Sequence, residues 1–278
     1  MGGSGTMDIR LVALDLDGTL LTEDHHLSPA MEAAVASARA RGYLITLATN
    51  RMETSARHFA RRLGLTEPII SYGGALVRGL DASPPLVDLR IDRNTARDAL
   101  WAVGSEEEVY RFVFQDGHVY TDRESWYSTR YSEILGVTVH LEEDLEAFLD
   151  AEPTAVVFRA PPEEAPRITA RLAEALDGRA RILKSLPYYI EVLPSEASKG
   201  RALQTLLEHY GLGPENCLAI GDGLNDLDMI AWAGVGVAVA NADETLKEAA
   251  DHVTANPRER GVFEALMRWC GIAVEGEA

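Results

Sequence analysis

Cysteine is scarce in this 278-residue sequence: Cys217 and Cys270 are the only two, far apart and at no metal-binding or redox spacing. A disulfide-built fold is therefore excluded, and a reduced, cytoplasmic protein is the expectation. No apolar run is long enough to cross a bilayer, and no basic-then-apolar leader opens the chain. Positive charge is also short, with 26 Lys and Arg against 44 Asp and Glu, a formal net charge of -18. So acidic a chain repels nucleic acid and anionic membranes, and neither is expected as a partner. A small anionic substrate remains compatible wherever a local cation and a metal neutralise it. The seven histidines fall at no metal-ligand spacing, and there is no internal repeat. Residues 1–6 read as a cloning scar before a natural start at Met7, and the acidic residues 275–278 read as a frayed tail. No sequence feature indicates an oligomeric state.

What is present is an alternation of short apolar runs with helical segments. Residues 11–15 form an apolar run ending on a carboxylate. Ser28-Pro29 is an N-cap followed by proline at the first helical position, and Gly42 ends the helix that follows. Strands are expected at 43–48 and 69–72, with a helix at 52–63 between them. The same rhythm returns late, with strands at 217–221, 235–239 and 252–254 and helices at 198–210, 225–233, 243–250 and 259–270. This pattern predicts a doubly wound parallel sheet with helices on both faces. The middle differs. Asp116-Gly117 between residues 110–115 and 118–121 is a hairpin signal. Further strands are expected at 154–159 and 181–186, and helices at 95–104, 142–149 and 163–176. An α/β core over residues 7–81 and 189–278, interrupted by an inserted α+β domain at 82–188, is the expected organisation.

Two motifs carry the chemistry. Asp15-Leu16-Asp17-Gly18-Thr19-Leu20 directly follows an apolar strand, where open parallel sheets bind ligands. Residues two apart on a strand point to opposite faces, so a turn after Asp15 is needed to bring both carboxylates to one place, and Gly18 supplies the freedom for it. Gly221-Asp222-Gly223-Leu224-Asn225-Asp226 follows a second apolar strand. Asp222 and Asp226, four apart, suit one helical face. Asp222 alone would read as a helix cap. Paired with Asp15 at a neighbouring strand end, it reads as an oxygen-only site for a hard cation such as magnesium. Thr49, followed by Asn50 and Arg51, ends another strand, where a hydroxyl and free amides suit a phosphate; alone it reads as an N-cap. Lys199 opens a helix, against the macrodipole preference.

In this order, these four elements resemble the haloacid dehalogenase-like phosphatase superfamily. The closer resemblance is to its Cof-type branch, subfamily IIB, whose cap (type C2B) lies between the second and third motifs. The resemblance implies a Rossmann-like core, Mg2+ as cofactor, and phosphate removal from a small phosphorylated metabolite through a phosphoaspartate. It implies Asp15 as nucleophile and Asp17 as the acid that protonates the leaving group and then activates water. The metal ligands would be Asp15, the Asp17 carbonyl, Asp222 and Asp226. Thr49, Asn50, Lys199 and Asn225 would hold the phosphoryl oxygens, and Arg51 would be an extra substrate contact.

The chain departs from the branch where Thr-Gly-Arg is Thr49-Asn50-Arg51 and where Asn-Gly-Ala is Gly73-Gly74-Ala75. Neither change touches the nucleophile, the acid or the metal ligands. In the inserted domain, Arg123, Trp126, Tyr127, Arg130, Tyr188 and Tyr189 are candidate substrate contacts, although packing is the plainer reading for most. Sugar phosphates are the favoured substrates. The alternatives are a phosphotransferase or phosphomutase, and a non-catalytic sensor of phosphorylated metabolites.

Overall fold

The computed structural model describes residues 8–81, 83–135 and 137–273, with the side chains of 130, 131, 134, 135, 185 and 186 left aside. The expectations for residues 1–6 and 275–278 lie outside the described residues. The chain runs through β1 (Leu11–Leu14), α1 (Pro29–Ala40), β2 (Leu44–Leu47), α2 (Glu53–Arg62), β3 (Ile69–Ser71), β4 (Leu76–Arg78) and β5 (Val87–Asp88). It continues through α3 (Arg93–Val103), β6 (Tyr110–Gln115), β7 (His118–Thr121), α4 (Trp126–Leu135), β8 (Val139–Leu141), α5 (Leu145–Phe148), β9 (Ala155–Arg159), α6 (Ala165–Leu176), β10 (Ala180–Leu186) and β11 (Tyr189–Pro194). It closes with α7 (Lys199–His209), β12 (Cys217–Gly221), α8 (Leu227–Trp232), β13 (Val235–Ala238), α9 (Glu244–Ala249), β14 (His252–Val253) and α10 (Arg258–Cys270).

These elements divide into two compact units. The first holds the chain up to Thr49, Ala56–Val87 and the chain from Ser198 onward; the second holds Asn50–Ser55 and Asp88–Ala197. Residues 189–197, which the sequence pattern assigns to the parallel-sheet domain, group with the second unit. The reason is pairing: β11 lies between β10 and β9 in that unit's sheet.

The first unit is built on a parallel sheet in the order β14-β13-β12-β1-β2. Its strands are apolar on both faces because both faces are covered. Val12, Leu14, Ile45, Leu47, Leu218 and Ile220 pack on one side with α1, α10 and the apolar positions Ala56, Phe59, Ala60 and Leu63 of α2. Leu11, Ala13, Cys217 and Ala219 pack on the other side with α7 and α8. Ser28 caps α1 by accepting from the Met31 amide at 3.1 Å, with Pro29 opening the helix. The register sets Leu14 opposite both Leu47 and Ile220. The Asp15 amide donates to the Ile220 carbonyl at 3.0 Å, and the Ala48 amide to the Leu14 carbonyl at 2.8 Å. Asp15, Thr49 and Asp222 therefore leave the carboxyl edge of three adjacent strands.

The second unit has a sheet in the order β10-β11-β9-β6-β7-β8, antiparallel except for β7 beside β8. Val113, Val156, Phe158, Ile190 and Val192 from one face form a core with α3 and α6. The β6–β7 turn places Asp116 at φ 52° and Gly117 at φ 79°, the left-handed pair that a two-residue hairpin turn demands. The helix expected over 142–149 contracts to α5, Leu145–Phe148, capped by Asp144. Strands β4 and β8, three residues each, are not marked by alternation in the sequence.

Candidate active site

Asp15 ends β1 in extended conformation and is 4% exposed. Beyond it the chain folds into a wide turn, closed by the Leu21 amide donating to the Leu16 carbonyl at 3.0 Å. Asp17 stays non-helical inside that turn and Gly18 takes φ 83°. Gly18 is required twice over. Its φ is left-handed, and a Cβ there would collide with the Asp222 carboxylate. Thr19, buried in the same turn, donates its hydroxyl to Asp222 Oδ1 at 2.9 Å. Asn241, which follows β13, donates to the Gly18 carbonyl at 2.9 Å and accepts from the Arg258 amide at 2.8 Å.

Asp222 and Asp226 do not share a helical face, as their spacing suggests. Gly223 is extended, and a short 3-10 turn, Leu224–Asp226, follows. Asp226 instead folds its carboxylate back, and Oδ2 accepts from the amides of Asp222 and Gly223, each at 3.0 Å. That leaves Oδ1 free to meet Lys199 Nζ at 2.6 Å. The same ammonium donates to Asp15 Oδ1 at 2.6 Å. Lys199 and Asp226 are each 1% exposed. Lys199 is the first residue of α7, whose N-cap Ser198 accepts from the Arg201 amide at 3.0 Å and donates to Asp228. The backbone there is crowded: Gly74, at φ 98°, lies so close that a Cβ would strike the Ser198 carbonyl.

Oxygen atoms of Asp15, Asp222 and Asp226 all lie within 4.8 Å of one another. Three carboxylates face one ammonium, and the charges respond. Burial raises the Asp15 carboxyl well above its ordinary range; Lys199 pulls against this, while Asp226 and Asp222 add to the rise. Burial and then Asp226 push Asp222 up to about 6. Burial works to lower the Lys199 ammonium, but Asp15 and Asp226 outweigh it and hold its pKa above the usual value. The cluster offers only oxygen donors and carries surplus negative charge, which fits a hard divalent cation.

The remaining expected residues are less concentrated. The Asp17 side chain is 38% exposed and lies outside the carboxylate cluster; its Oδ1 is 2.9 Å from His25 Nδ1. Thr49 is buried, with its amide on the Ile70 carbonyl at 3.0 Å. Asn225 is half-buried in the 3-10 turn. Asn50 and Arg51 group with the second unit, where Arg51 Nη1 donates to Ser55 Oγ at 3.3 Å. Thr19, His25 and Asn241 are the polar neighbours that sequence reasoning passed over. Thr19 sits inside the first motif and was findable from it; Asn241 has no local signal.

The family model for haloacid dehalogenase-like hydrolases matches residues 12–266. YxeH of Bacillus subtilis (strain 168), whose name assigns it provisionally to the phosphatases, is 31% identical over 262 residues, spanning 92% of this chain and 97% of that protein. The 5-amino-6-(5-phospho-D-ribitylamino)uracil phosphatase YitU of the same organism is 30% identical over 278 residues, spanning 93% of this chain and 97% of that protein. The solved structure of BT4131, described as a subclass IIB sugar phosphatase of the same superfamily, superposes with a TM-score of 0.80 at 22% identity, covering 95% of this chain and all of that one, and so shares the fold.

Proposed function

Because this chain belongs to the haloacid dehalogenase-like hydrolase family, we propose that it is a Mg2+-dependent phosphomonoesterase acting on a small phosphorylated metabolite, with sugar phosphates favoured. The observation that carries this reading is the buried Lys199 ammonium held at 2.6 Å from both Asp15 and Asp226, inside a cluster with a carboxylate to spare. Burying like charges together costs free energy unless a cation or a reaction needs them.

In this reading, an Asp15 oxygen attacks phosphorus while the bond to the leaving oxygen breaks. Asp17 gives its proton to that oxygen, releasing an alcohol. The phosphoryl group is then held on Asp15, and Asp17, now a carboxylate, takes a proton from the water that attacks phosphorus. Inorganic phosphate leaves and Asp15 is restored. One hard displacement thus becomes two easier ones, with one group serving as acid and then as base. Lys199 offsets the approach of anion to anion and binds phosphoryl oxygens, with Thr49 and Asn225. Asn50 and Arg51 are assigned phosphate and substrate contacts from motif order alone. Asp15, Asp222, Asp226 and the Asp17 carbonyl would hold the magnesium ion, which when bound supplies positive charge for the phosphoryl oxygens.

No helix among the described residues is long and apolar enough to cross a membrane. Both cysteines are free and buried, which supports a reduced cytoplasmic setting.

The test is phosphate release from a panel of sugar phosphates, nucleotides, flavin mononucleotide and an aryl phosphate, with Mg2+ and with chelator, beside Asp15→Asn. Release that needs the metal and vanishes in the variant is expected. Transfer to an added alcohol without release would favour the transferase, and tight binding without turnover the sensor. Release that survives Asp15→Asn would remove Asp15 as nucleophile.

A further inference from the structure

The second unit holds an arginine that its own fold leaves incomplete. Arg159 ends β9, with Tyr110 of β6 opposite it on one side and Tyr189 of β11 on the other. Opposed residues on neighbouring strands share a face, so the three side chains stand in one row. This face is turned away from the core packed under α3 and α6, to which the alternate residues Phe158 and Ile190 belong. Tyr127 of α4 stacks on the row: its ring lies 4.8 Å from that of Tyr110, and the Arg159 guanidinium lies 3.6 Å from its centroid. Tyr188 flanks the same guanidinium at 5.6 Å.

Stacking occupies the faces of a guanidinium and leaves its in-plane N–H groups to find acceptors. Every other arginine of this unit whose side chain is described has found one. Arg111 reaches Asp122 and Glu146, Arg97 the carbonyls of Glu146 and Leu149, Arg123 those of Glu106 and Val109, and Arg179 Asp98. Arg90, Arg167 and Arg171 pair with carboxylates, Arg93 and Arg181 with carbonyls, and Arg51 with a hydroxyl. Arg159 has aromatic rings against it but no hydrogen-bond acceptor or carboxylate for its side chain among the described residues. In a chain with 44 acidic residues, a half-buried cation without one is a departure. Its donors are held in a fixed orientation by the ring beneath them, the preorganisation that bidentate oxyanion recognition requires.

We propose that Arg159, oriented by Tyr127 and flanked by Tyr188, forms an oxyanion-binding site in the second unit, taking a carboxylate or a phosphate group of a small ligand. This goes beyond the phosphatase reading and does not depend on it: the site uses none of the residues assigned to its chemistry, and of the candidate substrate contacts offered by the sequence it takes Tyr127 and Tyr188. The aromatic flank favours a ligand whose oxyanion sits on a planar group, since such a group stacks where the tyrosines already do.

The exposed Trp126, with its ring 5.2 Å from that of Tyr127, supplies a reporter. The full chain, held in chelator, is titrated with benzoate in one arm and inorganic phosphate in the other, following tryptophan fluorescence and heat. Saturable binding of at least one probe is expected, weakened about tenfold or more in Arg159→Gln, as for loss of a charge-assisted hydrogen bond. Arg159→Lys keeps the charge without the fork and is expected to fall between the two. Tyr127→Leu removes the stacking ring and is expected to weaken binding with the arginine still present. Trp126→Phe should silence the fluorescence change and leave the heat. Benzoate binding that Arg159→Gln weakens identifies a carboxylate site, and phosphate binding alone that the same variant weakens a phosphoryl site. Failure of both probes to saturate the parent chain, or affinities unchanged in a folded Arg159→Gln, overturns the proposal. Loss of turnover in Asp15→Asn bears only on the phosphatase reading, so the two fail separately.

Discussion

Among the described residues each unit buries a cation between carboxylates, and the two arrangements differ in what they leave over. In the second unit Arg111, with 4% of its side chain exposed, donates to Asp122 and to Glu146, each at 2.7 Å. A planar fork meets two carboxylates, and strand and helix are tied together. In the first unit Lys199 is still more buried, but three carboxylates converge where one ammonium stands. A compact ammonium offers no fork, and burial first, with the surplus negative charge added to it, lifts Asp15 and Asp222 above the ordinary carboxylate range. A buried ion pair is therefore weak grounds for a site. Like charges gathered from separate segments, with an incomplete set of counter-charges, are strong grounds.

That contrast is open to direct attack. Lys199→Met is expected to cost the largest factor, roughly a thousandfold in kcat, since in the proposed reaction it removes the charge that would let one anion approach another. Steady-state kinetics on the best substrate of the panel would measure it, and a loss of only a few-fold would reduce Lys199 to a structural partner like Arg111. Arg111→Met should do the converse. It leaves Asp122 and Glu146 without their cation and is expected to cost about 3 kcal/mol in urea unfolding. Turnover per folded molecule should stay as in the parent, and a collapse in kcat with stability intact would contradict the structural role.

Proton linkage gives a smaller but more specific effect. The Asp222 pKa is raised in the folded chain, from 3.8 to about 6, so the folded state binds this proton more tightly than the unfolded one does. Its contribution to stability is present below pH 3.8 and is lost as the pH rises through about 6. In chelator, the melting temperature of the parent relative to Asp222→Asn should therefore fall across that window. Added Mg2+ should raise the melting temperature of the parent more above pH 6 than below it, because the cation replaces the protons. A difference that is flat with pH would mean the surplus charge is neutralised in some other way. The smallest effect belongs to the hairpin: Gly117→Ala, at φ 79° with open space around it, is expected to cost about 1 kcal/mol with no change in turnover. A larger loss would mean that this turn does more than close β6 onto β7.

Local chemistry was legible in the sequence wherever one short segment decides its own conformation. Ser28-Pro29, Asp116-Gly117 and the turn after Asp15 depend on residues within a few positions of each other, and each appears where the pattern places it. The parallel sheet followed from apolar runs alternating with helices, because strands covered on both faces have no polar side to show. Boundaries were less legible. Residues 189–194 look like a strand from either side, and only their partners β9 and β10 decide which sheet they join. The spacing of Asp222 and Asp226 suggests a helix face, whereas the extended Gly223 turns one carboxylate back onto the amides before it.

The sequence by itself determined that this chain is an α/β protein with an interrupted core. It also marked Asp15, Asp17 and Asp222 as the residues to watch, because apolar strands ending on carboxylates are local facts about the order of side chains. Tertiary structure alone decided which groups meet. Lys199 reaches Asp15 across 184 positions and Thr19 reaches Asp222 across 203. In the second unit, Arg159 has rings in place of a carboxylate among the described residues. The strength and sign of a buried charge depend on what surrounds it within a few ångströms, and for these residues that environment comes from chain segments far away in sequence.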